Sequence, residues 1–97
     1  MNLLPLLETI INKIASYVTT AQNNSLGYKM KGEACNCFAI IGEQIDKNGV
    51  TIYDKVMKLL GDMATDKVWA VQAPGRRAIA IWKNNKKKWD GDFINRN

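Results

Sequence analysis

The chain has 97 residues, 46% hydrophobic and 24% charged, the size and make-up of one ordinary globular domain with a modest core. This composition disfavours disordered, collagen-like and disulfide-stapled classes. There is no histidine, which removes the commonest general base and the commonest metal ligand, and the formal net charge of +5 points to an acidic partner.

The apolar start, Met1 to Leu7, is not read as a secretory signal: no Lys or Arg precedes it and Glu8 interrupts it. No window approaches 18 uninterrupted apolar residues, so neither a membrane span nor a membrane partner is expected. Cys35 and Cys37 lack the third and fourth ligands of a zinc site. Both thiols are expected to be reduced, and the expected location is cytoplasmic.

Residues 3 to 21 carry a helical stripe in which Leu3, Leu7, Ile10, Ile14 and Val18 advance by fours and threes. Asn2 is the expected cap and Pro5 falls in the first turn. The same spacing suits a homodimer seam through this N-terminal helix. Gln22 to Lys31 reads as a polar connection, with Gly27 or an asparagine ending the first helix. In residues 33 to 47, Ala34, Phe38, Ile41 and Ile45 favour a helix, although Cys37 to Ile41 also fits a short buried strand. Asp46 to Gly49 is expected as a turn with Gly49 at positive φ. Residues 51 to 63 are expected to be helical, capped by Thr51, with Ile52, Val56, Leu59, Leu60 and Met63 inward. Ile14, Ile52, Val56, Leu60 and Ile79 are expected in one core cluster.

Residues 67 to 83 read as a β-hairpin, with Pro74-Gly75 supplying type II turn chemistry between two apolar runs. The expected fold class is therefore α+β: three helices followed by a hairpin. A single domain over 1–97 is expected, divided into an N-terminal helix (1–24), a central unit (33–83) and a basic tail (84–97). The alternative order is α-β-β-α-β-β with one antiparallel sheet.

Residues 67–97 hold eight basic and two acidic residues, a net +6, whereas residues 1–66 hold six basic and seven acidic, a net −1. Arg76 and Arg77 would sit at the hairpin tip, Lys83, Lys86, Lys87 and Lys88 would follow it, and tryptophans are interleaved with them. Cations beside aromatics suit phosphate contact with base stacking, the latter assigned to Trp82. The expected function is non-enzymatic regulatory or accessory binding of nucleic acid, DNA ahead of RNA. No catalytic residue, metal or cofactor is expected.

The element order, and the stretch Ile40 to Val56 with its apolar helix, Gly-containing turn and second helix, resembles winged helix-turn-helix proteins. The resemblance spans roughly residues 33 to 83. It implies that Tyr53, Lys55 and Lys58 face a DNA groove and that Arg76 and Arg77 tip the wing. Asp54, Asp62 and Gly61 depart from the usual character of such a recognition helix. The competing expectation is a small inhibitory or interaction module of mobile-element type. It would bind an acidic protein partner through the hydrophobic hairpin and N-terminal helix.

Overall fold

A computed structural model describes residues 4–94. Among these residues there are four α-helices and no strand. The helices are α1 (Leu4–Thr20), α2 (Ser25–Gln44), α3 (Tyr53–Ala64) and α4 (Trp69–Ile94), with a 3-10 turn at Lys47–Thr51. Both expected architectures, the winged-helix-like α+β fold and the α-β-β-α-β-β fold, are overturned, and with them the hairpin.

Residues expected to form the hairpin make up the larger part of α4. Val71, Ala78, Trp82 and Trp89 are buried and step by seven, four and seven, which is one helical stripe. Ile79 and Ile81, whose alternation with alanine suggested a strand, lie on either flank of that stripe and pack against the core. Pro74 sits inside the helix, so the carbonyl of Ala70 lacks its usual partner four residues on. Gly32 of α2 fills the space beside it: a Cβ there would stand 2.8 Å from the Ala70 oxygen. Gly75 meets the end of α3, where a Cβ would stand 2.8 Å from the Ala64 nitrogen. The Pro-Gly pair is thus a point of close helix contact, and tertiary packing overrides its turn preference.

The polar connection expected at 22–31 is mostly helix. Asn24 caps α2, its side-chain oxygen accepting from the Gly27 N–H at 2.9 Å. Gly32, Cys35, Ala39 and Gly42 are all buried and lie on one side of α2. Their small side chains let α4 approach closely, and α2 with α4 forms the main interface. The helix expected over 33–47 therefore starts earlier and ends at Gln44.

Asp46 opens the 3-10 turn, accepting from the Asn48 N–H at 2.9 Å. Gly49 does not adopt positive φ. It is instead pressed against the Trp89 ring, where a Cβ would stand 2.6 Å from Cη2. Thr51 lies in that turn and does not cap α3: Ile52 holds the cap position without a side-chain hydrogen bond. The expected core cluster forms, with Ile52, Val56 and Leu60 buried and Ile14 and Ile79 packed against them. Along α1, Ile11 and Val18 are buried and Leu7 and Ile14 pack against the core, but Ile10, expected in the inward stripe, is exposed; Leu3 and the expected cap Asn2 lie outside the described residues.

Candidate polyanion-binding face

The buried stripe of α4 leaves the opposite side open. At about 100° per residue, Trp69, Arg76, Ala80, Lys83 and Lys87 fall within about 60° of one another, and all are exposed. Arg77, Asn84 and Lys88 form a second exposed row on the side facing α2. No acidic residue occurs from Lys67 to Trp89. From Arg76 to Lys88 the face runs about 18 Å at 1.5 Å per residue.

The cations differ in their engagement. Arg76 donates through Nε to the Ala64 carbonyl at 3.3 Å, placing positive charge at the negative end of α3. Arg77 donates to the Asn36 side-chain oxygen. These contacts leave each guanidinium with further donors. Lys86 is held by Asp90 at 3.1 Å and lies 5.3 Å from the centre of the Tyr53 ring. Lys83, Lys87 and Lys88 are exposed and make no hydrogen bond or ion pair.

The residues assigned to a recognition helix do not join this face. Tyr53 is half-buried between Lys86 and Trp82. Lys55 donates to the Asn12 side chain of α1 and is thus engaged with α1. Lys58 is exposed on α3, whose outer surface also carries Asp54 and Asp62.

Trp82 is not a surface ring. It is fully buried, its Nε1 donates to the Phe38 carbonyl at 2.8 Å, and Trp89 meets it edge-on with centroids 6.2 Å apart. Trp82 is therefore a core residue with no face for a base, which corrects its assignment as the stacking residue. The exposed indole is Trp69, with 71% of its surface in solvent. In a hairpin Trp69 and Trp82 would share one side. In a helix thirteen residues separate them by about 220°, a difference of phase that the tryptophan spacing already carried.

Elsewhere the chemistry is sparse. Cys35 is buried and donates to the Met63 sulfur at 3.4 Å; burial raises its thiol to about 11. Cys37 is exposed. Among the described residues, no three His, Cys, Asp or Glu side chains come together as a metal ion would require. Likewise no helix among them is long and apolar enough to cross a membrane. An open groove of about 380 Å³ lies between the N-terminal halves of α2 and α4, bordered by Tyr28, Lys29, Glu33 and Pro74. No protein family matches the chain, and neither a curated protein nor a solved structure matches it.

Proposed function

We propose that this protein is a non-enzymatic binding factor that engages the phosphate backbone of nucleic acid through the exposed face of α4. The observation that carries this reading is the grouping of Arg76, Arg77, Lys83, Lys87 and Lys88 on one side of one helix with no carboxylate among them. A rigid helix holds these charges at fixed spacing, so binding a polyanion costs little reordering of the backbone. Phosphate neutralisation releases condensed counterions and supplies most of the affinity. Lys86 contributes less, because Asp90 already compensates it.

The test is a titration of labelled oligonucleotides at several salt concentrations. Affinity is expected to fall as salt rises, by roughly 0.7–0.9 in log–log slope per phosphate neutralised. Changing Lys83, Lys87 and Lys88 together to Gln should lower that slope by about 2–3 while leaving stability unchanged, since exposed lysines contribute little to the fold. Absence of binding at low salt, or an unchanged slope in the triple variant, would refute the reading.

A second reading is favoured by a separate observation: Leu6, Ile10 and Tyr17 of α1, and Leu26, Met30 and Ile40 of α2, are exposed apolar side chains. They lie in the part of the chain whose net charge is −1. A second copy packing on these side chains would bury them. Light scattering across a hundredfold concentration range distinguishes a monomer from such a dimer.

A further inference from the structure

The basic face of α4 has an aromatic end. Trp69 is the most exposed large hydrophobic side chain among the described residues. It falls in the same helical row as Arg76, Lys83 and Lys87, seven residues before Arg76. Seven residues span about 10.5 Å and Trp69 to Lys87 about 27 Å. A single exposed indole calls for no partner by itself; this one continues a row of exposed cations along the same helix face. Here the surrounding charge states what kind of partner: a polyanion that also carries flat apolar surfaces. Nucleic acid bases are such surfaces, but in a duplex their faces are occupied by their neighbours. An indole on a convex helix face can meet a base face only where the base is unstacked.

We infer that the ligand of the α4 face is single-stranded nucleic acid, with one base stacked on Trp69 while the phosphates that follow run along Arg76, Lys83 and Lys87. This inference rests on the proposed function and adds the strand state and the stacking residue to it. The tryptophans divide the labour. Trp82 and Trp89 are buried and hold α4 against α2, α3 and the 3-10 turn, whereas Trp69 lies outside that core. A base is bound by its π-face, so the site is tolerant of sequence.

The experiment uses the full chain and three probes of equal length: a single-stranded oligothymidylate, a blunt duplex, and a single-stranded oligonucleotide of abasic sites that keeps the phosphates and lacks bases. Trp69→Ala is expected to weaken binding of the oligothymidylate by roughly 5- to 150-fold, the equivalent of one base–aromatic stack. It should change binding of the abasic strand by less than twofold. Trp69→Phe should recover part of the loss. The wild-type tryptophan emission should be quenched by the oligothymidylate, and Trp69→Phe should abolish that quenching while Trp82 and Trp89 remain. Equal affinity of wild type and Trp69→Ala for all three probes would overturn the stacking inference and leave backbone binding standing. Failure of the wild type to bind any of the three would remove the proposed function, and the inference with it. A tighter complex with the duplex than with the oligothymidylate would also overturn the inference.

Discussion

Gly42 and Gly61 are both interior glycines of α-helices, and adding one methyl to each should change stability in opposite directions. Replacing a helical glycine by alanine gains roughly 0.8–1 kcal/mol from backbone entropy and propensity. At Gly61 nothing lies within 4 Å of the added Cβ, so Gly61→Ala should realise that gain. At Gly42 the Cβ would stand 2.6 Å from Nε1 and 2.8 Å from Cδ1 of Trp82. Those atoms belong to a rigid ring held by its bond to Phe38 and by Trp89 on its edge. Overpacking of this kind costs roughly 1–3 kcal/mol. Displacing the ring also weakens the indole hydrogen bond, worth about 0.5–1.5 kcal/mol. The net expectation is a loss of about 1–3 kcal/mol for Gly42→Ala, against a gain of nearly 1 kcal/mol for Gly61→Ala. Because the chemistry is identical, effects on the unfolded chain largely cancel between the two variants. Urea unfolding followed by far-ultraviolet circular dichroism reads both. Equal shifts in the same direction, or a Gly42→Ala variant as stable as the wild type, would refute the placement of Trp82 against α2.

Trp82→Phe should lose roughly 1–3 kcal/mol of stability and Trp82→Ala roughly 3–5 kcal/mol, with oligonucleotide affinity unchanged while the protein remains folded; reduced binding at full stability would place the indole on the surface. Asn24→Ala removes the cap of α2 and should cost about 0.5–2 kcal/mol in the same unfolding assay, a loss absent if the helix began elsewhere. Burial raises the Cys35 thiol from 9.0 to about 11, so in the window from about pH 9 to 11 the unfolded chain loses that proton before the folded one. Stability should therefore fall as pH rises through this window, and less steeply in Cys35→Ala; identical slopes for the two proteins would contradict the burial. An aromatic disulfide reagent at pH 8 should label one thiol per chain, Cys37, and reach Cys35 only after unfolding.

The elements that were legible in the sequence are those whose period is uninterrupted. The stripe of α3 runs through Gly61 without losing its period, and Ile52, Val56 and Leu60 follow from spacing alone; in α1 the helix itself was legible, but its buried face is centred on Ile11 and Val18 and leaves Ile10 exposed. What misled lay at local signals that packing overrides. Asn23-Asn24-Ser25 reads as a connection, but Asn24 caps α2 and Ser25 already belongs to it, so the segment starts a helix rather than ending one. Pro74-Gly75 reads as a turn because the proline forfeits a hydrogen bond and the glycine forfeits helix propensity. The close contacts at Gly32 and Ala64 that offset those losses are long-range and invisible in a short window. The candidate site followed the same pattern. The basic residues were evident from composition, yet which tryptophan accompanies them depends on whether the segment repeats every two residues or every 3.6. Reading it as a hairpin put Trp69 and Trp82 on one side and assigned the stacking to Trp82.

Pro74 also determines how α4 opens. The first N–H groups of a helix have few helical acceptors, and Pro74 removes one of the bonds, that to the Ala70 carbonyl, by which this turn is tied to the rest. Backbone bonds to Val68 at 2.9 and 3.0 Å, the Asp66 carboxylate on the Val68 N–H at 2.8 Å and the Gln72 side chain on the Asp66 carbonyl hold it instead. Val71 anchors the turn in the core, but with fewer helical hydrogen bonds than the rest of α4 the turn is expected to open at lower free energy than the whole molecule. Its amides should exchange with deuterium ahead of those around Ala78 and Trp82. The same opening would swing the Trp69 indole while Arg76 and the lysines stay in place. Early exchange confined to that turn would mark the aromatic and the cationic parts of the α4 face as separate units, one able to open while the other holds its place.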